Sequence, residues 1–264
     1  MKKRLRILLC NDDGILAPGI KSLWRGLQDC DFADLCVIAP AVEKSGVGAA
    51  ITWDRPLLIR KVEWPNNTPA WSVDGTPADC IKLANRIILE SPPDFIVSGI
   101  NAGSNAGRNV LHSGTVGAVI EGLFRGIPGI AFSYENGEMT NYAPFEKYIE
   151  PILRYALDHP LPHNSFFNVN FPHTQEGTIR GIRLTRQGKG RWAEDPSLHL
   201  ETDSGSSYWM GGKPEEITED MDCDIALLRE GYLTVAPICV HELTHFTELE
   251  KRRPSFESYF TQIR

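Results

Sequence analysis

The chain has 264 residues, 42% hydrophobic and 23% charged, enough to bury a full core without disulfides or a structural metal. Its formal net charge of −7 argues against a nucleic-acid polymer bound on a basic face. Any anionic substrate must therefore find local positive potential, from a metal ion or from helix N-termini.

The opening MKKRLRILLC has the basic start of an export signal, but its apolar run stops at once in NDDG. No stretch approaches a membrane span. Cys10, Cys30, Cys36, Cys80, Cys223 and Cys239 contain no C-x-x-C pair and read as reduced thiols of a cytoplasmic protein.

Ile7–Cys10 reads as a buried strand, followed by a helix with Pro18 in its first turn and Ile20, Leu23, Trp24 and Leu27 on one face. DLCVIAP is the second strand and is followed by a long loop carrying Ser45. The proline-broken segment from Trp53 to Val73 reads as hairpin or edge material. Thr76 caps the next helix, with Pro77 at its first position. DFIVSGI is a third buried strand, VGAVIEGLFRG a helix, IPGIAFSY a strand, FEKYIEPILRYALDH a helix and SFFNVNFP a strand. This alternation predicts an α/β fold with a mainly parallel sheet and helices on both faces. Residues 1–186 are expected to form that core. Residues 187–221, polar and turn-rich with Trp192 and Trp209, read as a protruding arm that offers a partner surface. Residues 222–264 return to core-like sequence in DIALLREGYLTVAPICV and end the chain.

In parallel sheets ligands bind beyond the carboxyl ends of the strands. That rule brings together NDDG after the first strand, Ser45 after the second, and SGINAGSNAGRN, with Asn101, Asn105 and Asn109, after the third. Two carboxylates, a hydroxyl and several amides are hard oxygen donors suited to Mg²⁺, Mn²⁺ or Ca²⁺. Asp12 and Asp13 would balance one divalent charge, and neutral ligands such as Ser45 and Asn101 would complete the shell without repelling a phosphate. Asn-Asp-Asp-Gly is equally good turn chemistry. Ser113, Gly114 and Thr115 open a helix, where free N–H groups bind phosphate or a plain Ser/Thr cap suffices.

HELTH, from His241 to His245, matches the H-E-x-x-H zinc signature, with Glu242 as base. It follows a strand-like run, and Glu248, Glu250 and Glu257 are the third ligands in reach, so an exposed turn is the preferred reading. SVDGTPAD has Ser72 where an aspartyl-phosphatase needs its nucleophilic Asp, so Asp74 to Asp79 reads as a turn and helix start. His112 reads as a loop residue. Asn168 and Asn170, on one side of their strand, either reach the rim or satisfy buried backbone.

NDDG, Ser45, SGINAGSNAG, SGTVGAVIEG, NVNFP and GYLTVAPI resemble, in that order, the stationary-phase survival protein SurE family, from about Ile7 to Ile238. The resemblance implies a Rossmann-like core whose C-terminal extension serves oligomerisation, as homodimers or homotetramers. It implies a divalent-metal-dependent phosphatase acting on nucleoside 5′-monophosphates, and also on 3′-nucleotides and polyphosphate. By position, one Mg²⁺ or Mn²⁺ per subunit would be held by Asp12, Asp13, Ser45 and Asn101. Asp12 and Asp13 would be the catalytic pair. Ser113, Gly114 and Thr115, with Asn105 and Asn109, would bind the phosphate. His112 stands where the family commonly has Tyr, and HELTH departs from the usual sequence after GYLTVAPI. Two other functions compete: a non-catalytic nucleotide- or metal-sensing module, and a zinc hydrolase using His241 and His245.

Overall fold

Strand β1 (Leu5–Cys10) alternates its apolar side chains between two cores, and that alternation organises the molecule. Ile7 and Leu9 face one helical layer, Leu8 and Cys10 the other. The computed structural model describes residues 4–136, 141–174, 178–193, 195–215, 217–240 and 243–261.

After β1 come α1 (Pro18–Arg25), β2 (Ala33–Pro40), β3 (Ile59–Lys61), β4 (Ala70–Val73), α2 (Pro77–Leu83), β5 (Phe95–Ala102) and α3 (Gly114–Leu123). Then follow β6 (Gly129–Tyr134), α4 (Ala143–Asp158), β7 (Ser165–Phe171), β8 (Gly181–Leu184), β9 (Trp192–Ala193), β10 (Ser197–Thr202), β11 (Gly205–Trp209) and β12 (Lys213–Pro214). The chain closes with α5 (Asp224–Arg229), β13 (Tyr232–Cys239) and α6 (Phe246–Phe260).

Nine strands form one sheet in the order β3-β4-β2-β1-β5-β6-β7-β13-β8. β4, β2, β1, β5, β6 and β7 run parallel, whereas β3 and β13 are antiparallel to β4 and β7. Helices α1 and α4 cover one face, through Ile20, Leu23, Phe145 and Ile149, and α2 and α3 cover the other, through Cys80, Ile81, Val116 and Val119. The expected mainly parallel α/β architecture is therefore present. The chain grows outward from β1 through β2 to β4, then returns to β5 on the other side. The strand order reverses at β1, so a crevice opens at the carboxyl ends of β1 and β5.

Two helix starts use the expected chemistry. Thr76 and Asp79 form a reciprocal capping box before α2, and Ser113 Oγ accepts Val116 N–H at 3.1 Å before α3. Asp79 also accepts Thr52 N–H at 3.0 Å, which ties the loop after β2 to α2. Strand β8 is only four residues long, and its alternating Ile182 and Leu184 are exposed; it is a mostly exposed edge strand beside β13. The β10–β11 hairpin of the arm is exposed along its whole length. Among the described residues, no helix is long and apolar enough to cross a membrane.

Candidate active site

The turn after β1 is built by Asn11 and Gly14, which leaves both aspartates free for other work. Asn11 Nδ2 donates to Gly14 O at 3.0 Å, and Gly14 adopts φ +103°, a conformation that favours glycine. Lys44 N–H donates to Asp12 O at 2.7 Å, and Gly48 N–H donates to His112 O at 2.8 Å. These two bonds staple the loop after β2 to the loops after β1 and β5. Turn chemistry and a functional pair of acids thus share the same four residues.

The three loops enclose a cleft of about 950 Å³. Asp12, Ser45, Asn101, Asn105, Asn109 and Ser113 all line it. Asp13, Gly114 and Thr115 are not among its wall residues and stand behind Asp12. Asp13 Oδ2 accepts Ala102 N–H at 3.1 Å, which couples the first loop to the end of β5. Thr115 is fully buried, and its hydroxyl donates to Asp12 Oδ1. Gly114 makes room for Asp12: a Cβ there would stand 2.8 Å from Asp12 Cβ and 2.9 Å from Asp12 Oδ2. Within this chain, the start of α3 therefore seats a catalytic candidate.

Burial pushes the Asp12 carboxyl above its ordinary range, against the opposing pull of Thr115. Asp13 is pushed up to about 7, by burial and then by the neighbouring charge of Asp12. The neighbouring charges that act on Asp13 are those of Asp12 and Glu43, both acidic. Asn101 Nδ2 donates to Gly103 O at 2.7 Å, so its Oδ1 remains as an acceptor. Two adjacent acids, an amide oxygen and a serine hydroxyl form an oxygen-only donor set, which fits a hard divalent cation. Ser45 is exposed, and its hydroxyl donates to Glu43 Oε1 at 2.8 Å.

Asn168 and Asn170 hold the third loop from beneath. Asn170 Oδ1 accepts Asn105 N–H at 2.9 Å, and Asn168 Nδ2 donates to Asn105 O at 2.9 Å. Of the two readings open from sequence, satisfaction of buried backbone is the one observed. Asn105 is fixed further by Nδ2 donating to Ser133 Oγ at 2.7 Å.

Arg108, Arg191 and Trp192 are among the wall residues that escaped the sequence reading as site residues. Arg108 was visible as the lone basic residue of SGINAGSNAGRN, and its side chain has no partner among the described residues. Arg191 and Trp192 gave no local signal. They reach the cleft because Gly190 O accepts Arg108 N–H at 2.8 Å, Gln187 Nε2 donates to Gly107 O at 2.5 Å, and Asn109 Oδ1 accepts Trp192 N–H at 3.0 Å. The opposite wall carries Glu135, Asn136 and His173.

Of the HELTH segment, the described residues Leu243, Thr244 and His245 are not among the wall residues of this cleft. His245 caps α6, its Nδ1 accepting Glu248 N–H at 3.3 Å, and Glu248 pairs with Arg252. His241 and Glu242 lie outside the described residues. His112 is an exposed wall residue of the cleft.

A family model described as survival protein SurE matches residues 7–194. A 5′-nucleotidase SurE of Protochlamydia amoebophila is 48% identical over 98% of this chain and 99% of that protein. The 5′-nucleotidase SurE 1 of Chlamydia caviae is 38% identical over 98% and 96% of the two chains. The crystal structure of the SurE protein from Aquifex aeolicus superposes with a TM-score of 0.78 at 34% identity, covering 96% of this chain and 99% of that one. The match runs through the loops that build the cleft and through both halves of the sheet, and on that ground the chain belongs to the SurE family.

Proposed function

We infer that this chain is a 5′-nucleotidase, a phosphomonoesterase that releases phosphate from nucleoside 5′-monophosphates. The observation that carries the reading is the convergence of Asp12, Asn101, Asn105, Asn109 and Ser113 on one cleft at the reversal of strand order. Relatives named 5′-nucleotidase SurE, similar over nearly their whole length, support it.

Asp12, Asp13, Asn101 and Ser45 would hold one divalent cation, Mg²⁺ or Mn²⁺. When bound, that ion supplies positive charge to the phosphoryl oxygens and lowers the pKa of water. The protein's own donors define the phosphate end. Ser113 Oγ accepts Val116 N–H and keeps its proton for a phosphate oxygen. Asn109 commits its Oδ1 to Trp192, so its amide N–H groups are left to donate. Asn105 uses one Nδ2–H on Ser133 and has a second. Arg108 brings a positive charge to the cleft of a chain whose net charge is −7. Thr115 fixes Asp12 Oδ1 and so sets the orientation in which the carboxylate would accept a hydrogen bond from the attacking water.

A cleft of about 950 Å³ has room for more than one phosphate, which supports 3′-nucleotides and polyphosphate as further substrates. Free cysteines, five of six buried, suit a reducing compartment and support a cytoplasmic location. Exposed apolar residues on the arm and on α6 support a homodimer or homotetramer.

Phosphate release from AMP with added Mn²⁺ tests the reading. EDTA should abolish turnover, and Asp12→Asn should lower kcat about 100-fold or more while the fold persists. Full turnover by Asp12→Asn, or indifference to EDTA, overturns it. Nucleotide binding by the wild type without phosphate release would favour a sensing module instead.

A further inference from the structure

Most of the residues lining the cleft are polar, with two large apolar exceptions. Leu111 is 71% exposed and Trp192 is 51% exposed, and both line the cleft. A tryptophan left half open to solvent loses the burial its size would otherwise gain, unless something covers it in use. This indole is also held in place. Its backbone N–H donates to Asn109 Oδ1 at 3.0 Å, within the same loop that carries the phosphate donors. The Trp192 backbone pairs with Pro214 in the β9–β12 ladder, and the ring rests on Gly212, where a Cβ would stand 3.4 Å from Trp192 Cε3. The ring is therefore backed by the arm and presented to the cleft. Trp209, by contrast, stays on the exposed hairpin, where Nε1 donates to His199 Nδ1 at 3.0 Å.

We propose that Trp192, with Leu111 beside it, forms a stacking platform for the nucleobase of the substrate. The proposal rests on the nucleotidase reading above and names what that reading leaves open, the part of the substrate beyond the phosphate. The phosphate donors Asn109 and Ser113 stand on either side of Leu111 in sequence, and Trp192 is bonded to Asn109 itself. A nucleotide with its phosphate on those donors has its planar base as the one group suited to an aromatic wall. Stacking accepts any base, because every base has a π-face. The platform therefore selects nucleotides over sugar phosphates without selecting one base strictly, and purines exceed pyrimidines through their larger ring area.

Steady-state kinetics of wild type, Trp192→Ala and Trp192→Phe with AMP and with ribose 5-phosphate test this, together with calorimetric binding of adenosine, which cannot be hydrolysed. Trp192→Ala should raise KM for AMP about tenfold, equivalent to about 1.4 kcal/mol and within the range of base–aromatic stacking. It should leave kcat for AMP and both constants for ribose 5-phosphate unchanged, and weaken adenosine binding by a similar factor. Trp192→Phe should restore most of the loss. Unchanged KM for AMP, or equal losses for AMP and ribose 5-phosphate, overturns the platform while leaving the nucleotidase reading intact. Adenosine binding that depends on Trp192 in a wild type that hydrolyses no nucleotide overturns the catalytic reading and keeps the platform.

Discussion

Asp12 is held from one side by a hydroxyl 103 positions away in the chain, and that contact sets its chemistry. Thr115 donates to Asp12 Oδ1 in a fully buried setting and favours the ionised carboxylate, while burial opposes it. Thr115→Val keeps the shape and removes the donor. The Asp12 carboxyl then moves further up, so activity that needs the carboxylate begins at a higher pH. Expected outcomes are a kcat about tenfold to 100-fold lower near neutrality, an acid limb of kcat/KM displaced to higher pH, and recovery in Thr115→Ser. A pH–rate profile checks this, and an unmoved acid limb would remove Thr115 from the site. The aspartates themselves were legible in sequence, because a short apolar run ending in NDDG places them at a strand end. The partner was not. Thr115 looked like part of a phosphate turn, and only the approach of α3 to β1 reveals that its side chain faces backward onto Asp12.

At the scale of elements, legibility followed how local the governing physics is. Helices α1 and α2 announced themselves through Pro18 at the first turn and through the Thr76–Asp79 capping box. The apolar runs of β1, β5 and β7 named themselves as strands, but no run names its neighbour. The antiparallel insertion of β13 between β7 and β8 depends on long-range pairing and was not readable. The arm shows the same limit. Its composition marked it as protruding, yet Gln187 to Trp192 is hydrogen-bonded to the loop after β5, and only the hairpin beyond stands free. That hairpin exposes Leu198, Leu200, Tyr208 and Trp209, and α6 exposes Phe246, Leu249, Phe256 and Tyr259. Isolated two-stranded hairpins are marginal in water, and a free helix with apolar residues around it gains little alone. Both elements are expected to be covered by a second copy of the chain. Light scattering should return a mass of two or four chains, and Leu198→Glu with Tyr208→Glu should lower it. A monomeric wild type would refute the assembly.

For the whole molecule, the cost of the site appears as pH-dependent stability. Asp13 has its carboxyl pushed up to about 7 by burial and by Asp12, against an ordinary value of 3.8. Below about pH 4 the group is protonated in both folded and unfolded chains and contributes nothing. Between about 4 and 7 the unfolded chain releases the proton while the folded chain keeps it, so the folded state binds more protons. Stability then falls as pH rises, and above about 7 the penalty is constant. At about 1.36 kcal/mol per pH unit across that window, the loss comes to about 4 kcal/mol. A divalent cation on the ionised pair relieves the penalty, so added metal should raise Tm more at pH 8 than at pH 5. Asp13→Asn can still accept the Ala102 N–H and has no charge to bury. In EDTA it should be more stable than the wild type at pH 8, nearly equal to it near pH 4, and unresponsive to Mn²⁺. Thermal unfolding from pH 4 to pH 8, with and without chelator, measures all three. Parallel wild-type and Asp13→Asn curves in EDTA would show that Asp13 carries no folding cost. A cation would then not be needed to stabilise Asp13.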